Sequence, residues 1–177
     1  DDDGASWIDN VIVSDSPNGR QLCEPAPCRV TDEKILIYGR DNVTADFFAV
    51  KSEDCGQTWS DPVFFNPSGS SSPTPIWVNK TGRNELTAVW GDRDDLYLYA
   101  VTTSAGLAWQ DPTTLAQEPR KRMHRHVGTS ETSSYWGGDA GDFGYPNFVQ
   151  LGPEQSDVLV TFYDGAGRPN IWKSYLY

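Results

Sequence analysis

Short apolar runs separated by Gly, Pro, Asn and Asp recur along this chain in a fixed order. A run opened by proline comes first: Glu24-Pro25-Ala26-Pro27, then Ser72-Pro73-Thr74-Pro75, then Tyr145-Pro146-Asn147. An apolar stretch closing on a polar turn comes second: Ile35-Leu36-Ile37-Tyr38-Gly39-Arg40, then Leu86-Thr87-Ala88-Val89-Trp90-Gly91-Asp92, then Val158-Leu159-Val160-Thr161-Phe162-Tyr163-Asp164. The third is Phe47-Phe48-Ala49-Val50, then Leu96-Tyr97-Leu98-Tyr99-Ala100-Val101, then Ile171-Trp172-Lys173-Ser174-Tyr175-Leu176-Tyr177. Runs of this length, rich in aromatic and β-branched residues and bounded by turn formers, are strands. No stretch carries the 3.6-residue period of an amphipathic helix. The pattern predicts an all-β chain in which one trio of strands occurs three times.

After the third strand of the first trio comes Ser52-Glu53-Asp54-Cys55-Gly56-Gln57-Thr58-Trp59, of the form S-x-D-x-G-x-T-W. An Asp carboxylate can collect the N–H groups of a turn, Gly can adopt positive φ, and Trp fills space between sheets. Ser52, Asp54, Gly56, Thr58 and Trp59 are therefore read as structural. The same frame ending at Trp109 keeps Gly106 but not the Asp, and both copies continue with Asp-Pro, at Asp61-Pro62 and Asp111-Pro112. Asp2, Gly4, Ser6 and Trp7 fit the frame as well, so tryptophans at 7, 59 and 109 set a repeat of about 50 residues.

The motif is an Asp-box, and on it the chain resembles the sialidase-like Asp-box (BNR repeat) β-propellers. The resemblance implies four-stranded blades, about three of them here, in a ring of about six. Residues 1–177 are expected to form one partial propeller, with 113–142 a long loop inserted between blades. The chain begins inside one box and stops after a third strand, so further blades are expected from the same polypeptide or from other subunits.

The formal net charge of −11 and a pI near 4.4 argue against nucleic acid or an anionic membrane surface as partner. No apolar run approaches the roughly 18 residues of a membrane span. An extracellular or secreted setting, or the surface of a virus particle, fits this composition. Cys23 and Cys28 flank a short loop and are read either as a local disulfide or, with Cys55, as free thiols. His124 and His126 lack a third ligand, and Asp139 and Asp142 are too loosely spaced for a calcium loop, so neither a metal nor a cofactor is expected. The basic run Arg120-Lys121-Arg122-Met123-His124-Arg125-His126 could meet an anionic glycan or a neighbouring subunit.

The resemblance places a glycan site at one end of the central axis, with the Asp-boxes on the opposite rim. Residues before each first strand and after each second strand would converge there: Glu24, Arg40, Asp92, Arg93, Tyr145, Asp164 and Arg168 are the substrate-binding candidates. A sialidase of this kind clamps a carboxylate with three arginines and uses a Tyr nucleophile paired with a Glu, plus an Asp acid/base. Arg40, Asp41 and Tyr163 are the catalytic candidates on that template. The arginine expected ahead of each first-strand proline is missing, the positions reading Cys23-Glu24, Ser71-Ser72 and Gly144-Tyr145. Two classes of function follow: a glycoside hydrolase, or a lectin-like or structural propeller in a surface assembly.

Overall fold

A computed structural model describes residues 12–82, 84–125, 143–152, 158–164 and 170–176. Its strands are β1 (Leu22–Arg29), β2 (Ile35–Asp41), β3 (Phe47–Ser52), β4 (Val63–Phe65), β5 (Trp77–Thr81), β6 (Glu85–Asp92), β7 (Tyr97–Ser104), β8 (Lys121–Arg125), β9 (Phe143–Gln150), β10 (Val158–Asp164) and β11 (Asn170–Leu176), with one short helix, α1 (Ala105–Gln110). They form three antiparallel sheets in sequence order, β1-β2-β3-β4, β5-β6-β7-β8 and β9-β10-β11. Sequential antiparallel strands with each sheet's first strand beside the next sheet's first strand (β1 against β5, β5 against β9) are the blades of a β-propeller. Prolines fall in these first strands, Pro25 and Pro27 in β1 and Pro146 in β9, because an edge strand has one side on which no ladder N–H is required.

Alternation along β6 shows how the blades stack. Leu86, Ala88 and Trp90 join a core with Leu36, Tyr38, Phe47 and Phe65 of the first blade. Val89, on the opposite face, packs with Leu98, Ala100, Phe148, Val158, Val160 and Phe162 toward the third blade. A strand buried on both faces needs apolar side chains on both parities, which is why Ala88-Val89-Trp90 is unbroken. Trp90, wholly buried, lies edge-on to Phe47 and stacks on Tyr99 at 5.8 Å.

The Asp-box forms as its sequence predicts. Ser52 Oγ donates to Asp54 Oδ1 at 2.8 Å and accepts from Gly56 N at 2.8 Å; Thr58 N and Oγ1 donate to the two Asp54 oxygens at 2.8 and 2.6 Å; Trp59 Nε1 donates to Gly56 O at 2.9 Å. Gly56 takes φ +88°. Register puts Ile35 opposite Ser52 and Leu22 opposite Asp41, so the box turn and the start of β1 lie at opposite ends of the blade.

The second frame, ending at Trp109, is built differently. In place of the Asp-box turn, Ala105–Gln110 is α1 and Pro112–Ala116 a 3₁₀ turn whose cap, Asp111 Oδ1, accepts from Thr113 N at 2.9 Å. Trp109 is nonetheless buried in the first core, with Lys34 Nζ at 4.7 Å and Lys51 Nζ at 5.4 Å from its ring. The segment read as an inserted loop over 113–142 also contains structure: Lys121–Arg125 is β8, the outer strand of the second blade. Asp139 and Asp142, His126 and the first frame at 1–7 lie outside the described residues.

All three cysteines are free thiols. Cys23 and Cys28 pair with Arg40 and Leu36 of β2, a spacing of about 13 Å at about 3.3 Å per strand residue and beyond the Cα separation of about 7 Å that a disulfide tolerates. Among the described residues no helix is long and apolar enough to cross a membrane.

Candidate functional site

Two blades open their first strands with the same irregularity. In β1 the ladder pairs Cys23 with Arg40 and next Ala26 with Tyr38, so Glu24 and Pro25 together oppose Gly39. In β9 Gly144 pairs with Tyr163 and next Asn147 with Thr161, so Tyr145 and Pro146 together oppose Phe162. Both are β-bulges, which re-aim a side chain at a sheet edge. The residue before the proline is left-handed in each, Glu24 at φ +54° and Tyr145 at φ +49°, a region few non-glycine residues adopt. The second blade departs: Pro73 bridges to Asp92, and Thr74 exchanges bonds with Gly91, its N donating to Gly91 O at 2.8 Å and its Oγ1 accepting from Gly91 N at 2.6 Å.

The two bulges turn Glu24 and Tyr145 toward each other. Tyr145 Oη donates to Glu24 Oε1 at 3.3 Å, joining the third blade to the first. Arg40 Nε forms an ion pair with Glu24 Oε2 at 2.9 Å. Its alignment is that of a charge contact, not a hydrogen bond. Arg40 Nη1 donates to Pro73 O at 3.0 Å, joining the first blade to the second, and Nη2 donates to Asn42 Oδ1 at 3.5 Å. Beside them, Cys23 Sγ donates to Arg40 O at 3.3 Å, and burial followed by the Glu24 charge pushes its pKa up, which keeps it a thiol.

Desolvation first, and then the Glu24 carboxylate, raise the Tyr145 pKa, with Arg40 and Arg93 opposing. At neutral pH the phenol is thus a hydrogen-bond donor. Tyr145 is 62% exposed and borders a cleft of about 290 Å³ formed by Glu24 and Pro25 of the first blade, Pro75, Ile76 and Trp77 of the second, and Tyr145, Pro146 and Asn147 of the third. Gly144, at φ +143°, lets the β9 bulge approach the second blade: a Cβ there would stand 2.6 Å from Thr74 Cγ2 and 3.4 Å from Arg93 Nη2.

Of the residues singled out from sequence, Glu24, Arg40 and Tyr145 meet at this cleft and Arg93 lies beside it. Asp41 does not face it. Its carboxylate is fully buried and accepts from Gln21 N, Val43 N, Thr44 Oγ1 and Arg20 Nη1. Burial opposes the charge, but these donors, Thr44 foremost, outweigh it and hold the carboxyl at about 2. A carboxylate so committed is a loop staple and a poor acid/base catalyst. Asp92 is also buried, accepting from Asp94 N at 3.0 Å. Tyr163 and Asp164 end β10 with their backbones paired to Gly144 and Phe143, while Arg168 lies outside the described residues. The basic run sits elsewhere, at the outer strand, where Arg120 covers the Tyr99 ring and Arg122 the Tyr97 ring, each at 4.5 Å.

The cleft-lining Trp77 and Asn147 escape the sequence reading. Their signal is position alone, one or a few residues beyond the opening prolines.

The BNR repeat-like domain model matches residues 1–158 of the chain. Among solved structures, an α-L-arabinanase of Penicillium chrysogenum complexed with arabinobiose aligns with TM-score 0.49 and 19% identity over 87% of this chain and 46% of its own. The chain thus spans less than half the length of that structure. No curated protein matches it.

Proposed function

The chain belongs to the BNR repeat-like family, and on that premise we propose that it recognises a glycan in the axial cleft. The observation that carries this is the convergence of an exposed Tyr145 ring, the Glu24 carboxylate hydrogen-bonded to it, and Trp77 at one cleft built from three blades. Sugar recognition asks for an aromatic face against ring C–H groups and a fixed acceptor for hydroxyls. Glu24, held by Arg40, supplies the acceptor. Arg93 and the end of β10 at Tyr163 and Asp164 border the same end of the blades and are proposed as the periphery of the site, in a secreted or surface-displayed protein.

The test is retention of the intact protein on an oligosaccharide array. Tyr145→Ala and Glu24→Gln should each weaken binding about 10- to 100-fold, the effect of losing a stacking face or a charged hydrogen-bond acceptor. Retention unchanged in both variants would remove the cleft from consideration.

One observation favours a second reading, with turnover. Glu24 beside the Tyr145 hydroxyl is the kind of Tyr–Glu pair that the resemblance to sialidase-like propellers implies. Tyr145→Phe separates the readings, since it keeps the ring and removes the nucleophile. A lectin-like site should keep most of its binding, whereas a hydrolase should keep binding and lose product formation by about 100-fold or more.

A further inference from the structure

We infer that Arg40 is a positioning residue for Glu24 and not a clamp for a ligand carboxylate, so that the cleft takes an uncharged sugar; this rests on the glycan reading above. An arginine that grips a carboxylate does so with forked N–H groups open to the ligand. Arg40 is committed to protein groups on every side: Nε lies 2.9 Å from the Glu24 carboxylate as an ion pair, while Nη1 donates one N–H to the Pro73 carbonyl at 3.0 Å and Nη2 one to the Asn42 side-chain oxygen at 3.5 Å. Its side chain is 18% exposed. These acceptors come from three separate places, the β1 bulge, the second blade and the turn after β2, and together they fix the guanidinium.

The carboxylate that Arg40 holds then sets the selectivity. An acidic sugar reaching toward Arg40 would bring its own carboxylate against Glu24, and two like charges in one site cannot both be accommodated without cost. A neutral sugar meets no such opposition, because its hydroxyls donate to the free lone pairs of Glu24. The remaining walls of the cleft, Pro25, Pro75, Trp77, Tyr145 and Pro146, offer apolar and aromatic faces to a sugar ring. Arg93 lies by Gly144 on the Tyr145 side of the cleft and is included in the test as the other cation that an acidic ligand could use.

The experiment uses the intact protein and an array carrying neutral pentose and hexose oligosaccharides beside sialylated and uronic-acid oligosaccharides. Retention on neutral probes is expected. Glu24→Gln and Arg40→Gln should each weaken it about tenfold, and the double variant by about the same factor as either alone, since Arg40 acts through Glu24. A merely structural arginine would lower the melting temperature and add its loss to that of Glu24→Gln. Should Arg40→Gln fail to fold, Arg40→Lys, which keeps a charge beside Glu24 but cannot reach all three acceptors, is measured in the same cycle. Retention on acidic probes that is lost in Arg40→Gln or Arg93→Gln would overturn the inference while leaving the glycan site standing, as would additive losses in the cycle. No retention on any probe, or retention indifferent to both Glu24→Gln and Tyr145→Ala, would overturn the glycan reading itself and the inference with it.

Discussion

Glu24 and Tyr145 hold left-handed backbone angles that cost a non-glycine residue on the order of 1–2 kcal/mol each. A site that keeps such angles trades stability for the direction in which two side chains point. Glu24→Gly removes the strain but adds about 0.4–1 kcal/mol of unfolded-chain entropy. The urea midpoint of this variant should therefore shift by no more than about 1 kcal/mol equivalent, while glycan retention falls to background. Asp54, by contrast, serves the fold alone. Hydrogen bonds from the Thr58 hydroxyl and N–H, and then from Ser52, lower its carboxyl to about 2 from an ordinary value of 3.8. A depressed acid stabilises the folded state fully above its unfolded pKa and loses that contribution as the pH falls through the folded one. Stability should thus decline between about pH 4 and pH 2. Asp41 titrates in the same window, so Asp54→Asn should shallow the decline in urea midpoint without abolishing it.

At the scale of the elements, the second strand of each blade carries the architecture, and β6 is the clearest case because it is packed on both faces. Trp90→Ala empties a wholly buried ring position between the first and second blades and should cost about 3–5 kcal/mol in urea unfolding. The second and third strands were legible from sequence for the same reason: β2, β6 and β10 read as apolar runs closed by a polar turn, and β10 has the bounds the pattern predicts. The Asp-box was legible because its turn chemistry is local, the bonds of Ser52, Asp54, Gly56, Thr58 and Trp59 that shape the turn lying within Ser52 to Trp59. The outer strand β8 was not, because Lys121-Arg122-Met123-His124-Arg125 has no apolar alternation. Arg122 within it rests on Tyr97 and Arg120 just before it on Tyr99, and that support is invisible until β7 and β8 are paired. Helix α1 was missed since six residues are too few to show a period. At the site, Glu24, Arg40 and Tyr145 could be named from their place beside prolines and turns. The bulge that turns two of them inward, and the burial that takes Asp41 out, are properties of paired strands and cannot be read from one strand alone.

Taken whole, the described molecule leaves apolar surface on its third blade. Val149 is 58% exposed and Leu151 48%, with half-buried Leu159 paired to Val149 on the neighbouring strand. Uncovered apolar sheet surface tends to find a partner. The chain of residues 1–177 expressed alone should self-associate in light scattering, and Val149→Lys with Leu151→Lys should shift it toward the monomer mass. The axial contacts give the same blades a different property. Arg40 to Pro73 ties the first blade to the second, and Tyr145 to Glu24 ties the third to the first. The tie between the third and first blades therefore closes at atoms that would face a ligand. Prying that tie open and emptying the cleft become one motion, so an occupant acts as a clasp on the three blades: at a hundredfold excess over its dissociation constant it would resist that opening by about 2.7 kcal/mol.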